Sequence, residues 1–241
     1  MEKIIKKLQD DKHYYGEFGK QFLSNSDIYD LIHNPQDFQQ PKEPNVNFEF
    51  GKAFHEMIMF GNVPQYVEAS SRRTKLYRSA CEENELDIML LDGEVQDITN
   101  AVTKAKDNEF VAKLLARADL EFEVPNVAVL TANQIQWKCK ADIVTKDCVY
   151  DIKTTSNLKG FRNSFFAYNY DSQAYIYATI FQKPMRFLVF DKKTGTTGLF
   201  DVSDDSYVKG QEKVEQAEDN YKKYYLDKTN HVKDFMVYGE L

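Results

Sequence analysis

Asp142, Asp151 and Lys153 are the residues of this chain whose types and spacing could do chemistry, all within the stretch KADIVTKDCVYDIKTT at 140–155. If Val149–Lys153 is a strand, Asp151 and Lys153 point to one face and Ile152 to the other, because side chains alternate with period two. Two carboxylates can hold a hard divalent cation through oxygen. A lysine beside them can orient the attacking water, or as the free amine deprotonate it, and as the ammonium it balances phosphate charge. Metal-assisted phosphodiester cleavage needs that set. Asp-x-Lys alone is common on solvated strands, so its weight depends on the residues that accompany it.

Those side chains need elements to position them. Apolar spacing predicts helices over 25–33 and 48–60, the second ending near Gly61, and a helical face over 94–118 carrying Val95, Ile98, Val102, Val111, Leu114 and Leu115. Strands are expected at 121–130, 134–145 and 148–153, separated by TAN and TKD turns. A helix over 164–182 ends before Pro184, and strands at 185–191 and 197–202 flank KKTGTTG. A closing amphipathic helix over 205–226 sets Tyr207, Val214, Tyr221 and Tyr225 along one side. The order predicts an α/β fold, a single domain with a mixed central β-sheet flanked by helices. Residues 1–45 read as an N-terminal helical extension and 227–241 as a C-terminal tail.

On that frame a hairpin brings Asp142 and Asp151 to a single cation. The side chain of Ile152 points away and leaves its backbone carbonyl free as a further oxygen ligand. Glu121 and Glu123 share a face of the preceding strand, and Glu123 could serve a second ion, since two-metal sites place ions about 3.5–4 Å apart. An exposed edge-strand glutamate is the competing reading. His55 lies in the apolar helical run NFEFGKAFHEMIMFG at 47–61. A lone His there is usually a core residue, and His55-Glu56 lacks the second His of a zinc-protease helix. Gln173 and Tyr177, at i and i+4, share a helix face.

Four ordered motifs give these residues a family likeness. FLSNSDIYDLIHNPQDF precedes a helix with Gly51 and His55 in G-x-x-x-H; Asp142 follows a basic strand; Asp151-Ile152-Lys153-Thr154-Thr155 comes next; and Tyr168, Tyr170, Gln173 and Tyr177 form Tyr-x-Tyr-x-x-Gln-x-x-x-Tyr. Over roughly residues 20–200 the chain resembles the PD-(D/E)XK nuclease superfamily in its RecB/RecE-like branch, closest in look to phage and prophage exonuclease VIII-like proteins. Ala141 stands where the superfamily's name would put Pro. The resemblance implies a restriction-endonuclease-like core and a Mg²⁺-dependent DNA exonuclease of phage recombination, with Mn²⁺ a substitute for Mg²⁺. It implies His55, Asp142 and Asp151 as metal ligands, Lys153 as the water-positioning group, and Gln173 and Tyr177 as residues lining the active site. It further implies DNA as substrate, a phage single-strand annealing protein as a partner, a homo-oligomer, and a location in the cytoplasm of a bacterial host. Two other readings keep the fold: a repair or restriction-type endonuclease, and a DNA-binding protein that has lost the chemistry.

Composition bounds these readings. At 241 residues and 42% hydrophobic content, one domain can bury roughly 70–75% of its unfolded surface. No run of 18 apolar residues and no apolar core in MEKIIKKLQDDK point to a membrane span or export. Cys81, Cys139 and Cys148 have no zinc spacing and fit reduced thiols; three cysteines give no four-cysteine iron–sulfur site. A net charge of −7 argues against coating nucleic acid non-specifically but leaves room for a local basic lining. SRRTKLYRS at 71–79, with Arg72, Arg73, Lys75 and Arg78, is the candidate phosphate-contacting edge, against the plainer reading of a solvated loop. Some of the fifteen Tyr and seventeen Phe could stack on bases.

Overall fold

The computed structural model describes residues 1–227 and 231–237. Ahead of the main sheet come helices α1 (Glu2–Leu8), α2 (Asp11–Tyr14), α3 (Ile28–His33) and α4 (Val46–Phe60). A small parallel pair, β1 (Tyr66–Val67) and β2 (Leu90–Leu91), brackets α5 (Lys75–Glu83), and α6 (Asp92–Lys106) and α7 (Glu109–Leu115) follow. The main sheet then runs in chain order through β3 (Glu121–Val129), β4 (Gln136–Val144), β5 (Val149–Thr155), β6 (Met185–Asp191) and β7 (Thr197–Asp201). Within this sheet, among the described residues, only the β5–β6 pair is parallel; the chain crosses between them through α8 (Phe161–Ala167) and α9 (Tyr170–Phe181), and α10 (Asp204–Tyr221) follows β7. This is a single α/β domain with a mixed sheet between helical layers.

The central strands read as buried on both faces because both are covered. On one side Trp137, Cys139, Ala141, Val149, Phe187 and Val189 pack with α3, α8, α9 and α10. On the other, Ile143, Ile152, Leu188 and Phe190 pack with Phe54 and Ile58 of α4 and Ile98 and Val102 of α6. A third cluster, Leu8, Tyr14, Phe22 and Val127, seats α1 and α2 on β3. Each fully buried side chain of this kind stabilises the fold by about 1.5–3 kcal/mol. The fully buried Glu218 of α10 accepts from Trp137 Nε1 at 2.6 Å and from Thr131, joining α10 to the start of β4.

One irregularity decides where the site lies. Phe122 pairs with Ile143 and Val124 with Ala141, but Glu123 and Asp142 between them do not pair. Glu123 has φ 51°, a left-handed backbone that side chains rarely adopt. The alternation slips there on both strands: Val124 and Ala141 pack on the α9 side, Phe122 and Ile143 on the α4 side. Two acidic side chains are thereby placed at the point where the sheet changes step.

Several sequence-based boundaries change. The expected helix over 94–118 is two, α6 and α7, because Asn108 caps a new start by accepting from Phe110 N and Val111 N. The expected helix over 164–182 is also two, broken at Asn169 with φ 56°. The closing α-helix ends at Tyr221 and continues as one wider turn over Lys222–Leu226. Helices α1 and α2 fall within the expected helical extension over 1–45 without bounds of their own, and α5 and the β1–β2 pair had no counterpart in the sequence pattern. Of the tail at 227–241, residues 228–230 and 238–241 lie outside the described residues. Among the described residues no helix is long and apolar enough to cross a membrane.

Candidate active site

Asp142, Asp151, Lys153, His55 and Gln173 come together from four elements. Helix α4 is capped at one end by Asn45, which accepts from Asn47 N, and stopped at the other by Gly61 at φ 75°. Its apolar stripe of Ala53, Phe54, Met57 and Ile58 presses on the sheet and turns His55 toward β4. His55 Nδ1 stands 3.7 Å from Asp142 Oδ2, and the same oxygen accepts from Ile152 N at 2.6 Å. So Asp142 spans the gap to β5 with its side chain, at the level where backbone pairing between β3 and β4 fails.

Asp151 is 3% exposed. Its Oδ1 accepts from Gln173 Nε2 at 2.5 Å, and its Oδ2 forms an ion pair with Lys153 Nζ at 2.5 Å. Burial, with Asp142 adding to it against the pull of Lys153, pushes the Asp151 carboxyl up to about 6. Burial alone would lower the pKa of Lys153, but Asp151, Tyr170 and Asp142 outweigh it and raise the ammonium above its usual range. Lys153 also sits 4.7 Å from the centre of the Tyr170 ring, a cation–π contact. These neighbours favour its ammonium form.

The donor set suits a hard cation: two carboxylates, one imidazole and, from Ile152, a backbone carbonyl. The buried Asp151 Oδ2 has Lys153 beside it and room among its acceptor positions for a cation that the two would share. Among the described residues no three histidine, cysteine or acidic groups are already gathered around one point. Glu123 lies alongside: burial first and Asp142 second push its carboxyl up to about 7. Glu121, by contrast, is exposed.

Two assignments look different in three dimensions. Tyr177 is buried and donates to the carbonyl of Lys140 at 3.0 Å, so it braces β4 rather than Lys153. Arg72 is half-buried and bound to Glu94 at 2.6 Å, with its ring-side neighbour Tyr77 5.8 Å away. It holds α6 in place and is not a free phosphate contact; Arg73, Lys75 and Arg78 are exposed. Sequence reasoning gave no role to Tyr170, although it stands in the tyrosine motif, and none to Lys140 or Asp11. Lys140 carries a usable signal, a lysine two residues before the strand aspartate, but nothing in the sequence links it to Asp11.

A family model described as a PDDEXK-like domain of unknown function (DUF3799) matches residues 20–230. A provisionally named exonuclease from Eubacterium rectale has a similar structure, with a TM-score of 0.61 at 12% identity over 96% of this chain and 95% of that one. A phage-related exonuclease from Haemophilus somnus 129PT is more distant, with a TM-score of 0.36 at 13% identity over 83% of this chain and 93% of that one. At such identities the likeness speaks to the fold alone, and at the lower score it carries no argument. No curated protein matches the chain.

Proposed function

The chain belongs to the PDDEXK-like family DUF3799, and from that premise we propose a divalent-metal-dependent deoxyribonuclease, an exonuclease acting on the ends of linear duplex DNA in phage recombination or DNA processing. The observation that supports it is the buried Asp151–Lys153 pair under Gln173, next to Asp142 and His55. Burying a carboxylate beside a lysine is costly to stability, and a catalytic site gives that cost a use. His55, Asp142, Asp151 and the Ile152 carbonyl would hold Mg²⁺ or Mn²⁺, with Glu123 beside them. Such an ion, when bound, would polarise the scissile phosphate and ease deprotonation of a water.

The protein's own groups do the rest. Lys153, held as an ammonium, donates hydrogen bonds that orient the attacking water and offsets charge building on the phosphate. Gln173 fixes the rotamer of Asp151, and Tyr177 fixes the carbonyl of Lys140 and with it the line of β4. The end-dependence rests on electrostatics: a chain of net charge −7 holds internal duplex poorly by backbone charge, so a strand end entering a local site is favoured. The test is end-labelled linear duplex and covalently closed circular DNA, each with Mg²⁺ and with EDTA. We expect linear DNA to fall to mononucleotides or short oligonucleotides with Mg²⁺ only, while circles survive. Full activity after metal stripping refutes the metal reading; rapid cutting of circles refutes the exonuclease reading alone.

A further inference from the structure

Beside the carboxylates lies a cation that the proposed chemistry does not use. The side chain of Lys140 is only 8% exposed, yet its ammonium is met by the Asp11 carboxylate, which is 71% exposed. Glu123 Oε2 is its next anion, at 3.9 Å. Two aromatic rings wall the same ammonium: Tyr14 at 4.8 Å from ring centre and Tyr15 at 5.6 Å. Tyr14 is buried, but Tyr15 is 67% exposed.

An ion pair with one partner in water contributes little to stability by itself. Here the cation is built into the sheet and the anion covering it stands in solvent on a four-residue helix, α2. That helix does not depend on Asp11 to stay docked. Lys138 Nζ donates to the Tyr14 carbonyl at 2.5 Å and lies 4.4 Å from the Tyr14 ring, and Tyr14 itself packs with Leu8, Phe22 and Val127. Rotation of the Asp11 side chain alone would open the ammonium.

We propose that Lys140 is the seat for a phosphate of the DNA strand being cut, next to the reacting one, and that Asp11 occupies this seat in the free protein. The proposal rests on the nuclease reading above. Lys140 and Asp142 are two residues apart on one strand, roughly 6–7 Å of rise, which is about one nucleotide step of an extended strand. A phosphate presents the same charged oxygens to Lys140 as a carboxylate does. Tyr15, on the open side, offers a face on which the attached base stacks. Asp11 also keeps an otherwise uncompensated ammonium satisfied until DNA arrives, so binding exchanges one anion for another.

The experiment measures equilibrium binding of an end-labelled duplex oligonucleotide in Ca²⁺, over a series of salt concentrations, and Mg²⁺-dependent hydrolysis in parallel. Asp11→Asn removes the competing carboxylate and should tighten binding about three- to tenfold. Lys140→Met should weaken it about tenfold and lower the slope of log K against log salt by about one. Lys140→Arg should restore most of the affinity. Replacing the phosphate adjacent to the scissile one by a neutral methylphosphonate should remove the difference between wild type and Asp11→Asn. If Asp11→Asn only lowers thermal stability and leaves affinity unchanged or weaker, Asp11 is a clasp and the seat is refuted, while hydrolysis still upholds the nuclease reading. Absence of both DNA binding and hydrolysis in the wild type refutes both.

Discussion

At Asp151 a carboxylate is buried against an ammonium, and removing either one strands the other. Asp151→Ala and Lys153→Ala should each lower cleavage by about 10²-fold or more. Each should also lose stability in EDTA, on the order of 3 kcal/mol, because an unpaired charge stays buried. Asp142→Asn should lose cleavage with little change in stability, since its amide oxygen can still accept from Ile152 N. Denaturant titration beside the cleavage assay checks this; a stable, active Asp151→Ala protein would refute the site. Glu123 gives a pH signature. Its carboxyl is pushed up to about 7 from the ordinary 4.5, so the folded state binds the proton more tightly than the unfolded one. Its contribution is largest below about pH 4.5 and is lost as pH rises through about 7. In chelator, Glu123→Gln should therefore gain melting temperature over wild type progressively across that window and hold the gain above it. A difference that does not vary with pH contradicts the assignment. Asp142, Asp151, Lys153 and Gln173 were legible in the sequence because each is a named type at a fixed spacing. The left-handed backbone of Glu123 was not, because a glutamate in a run of strand formers gives no sign of positive φ.

At the scale of elements, α9 is the part whose position matters most to the site, since it carries Gln173 and Tyr177. It is held from behind by α10. A Cβ at Gly210 would lie 2.2 Å from the Asp171 carbonyl oxygen, so the two helices meet at a distance only glycine allows. Lys213 Nζ then bridges the buried Asp171 and Asn169 at 2.8 Å each, fixing the entry to α9. Gly210→Ala should cost about 1–3 kcal/mol of stability, the range for overpacking. It should also reduce turnover through a displaced Gln173, although residue 210 touches no reacting group; circular dichroism melts and kcat together check it. The periodic elements were legible: the expected strands at 121–130, 134–145 and 148–153 and the helix over 48–60 match observed elements within a few residues. Short or unperiodic ones were not. The two-residue strands β1 and β2 leave no alternation to detect, and an apolar repeat that runs through Asn108 disguises two helices as one.

For the molecule as a whole, the site draws on both sides of the sheet. His55 comes from the layer of α4 and α6, Gln173 from the layer of α9 and α10, and the acidic groups from the strands between. The overall layering was foreseeable from the order of elements, whereas the convergence of the two layers on one gap was not, because it depends on where the β3–β4 ladder fails. One consequence follows for unfolding. A cation bound across His55, Asp142 and Asp151 would act as a rivet between two layers that otherwise share only the sheet. It would bind the native state alone and so stabilise it by mass action, about 2.7 kcal/mol at a hundredfold excess over Kd. Ca²⁺ should raise the melting temperature of the wild type and not that of Asp142→Asn. In EDTA, hydrogen exchange should be fastest where the rivet is missing, at the backbone amides around Glu123 and Asp142. The gap in the ladder is thus where the protein should open first, and the cation that serves cleavage is what would hold it shut.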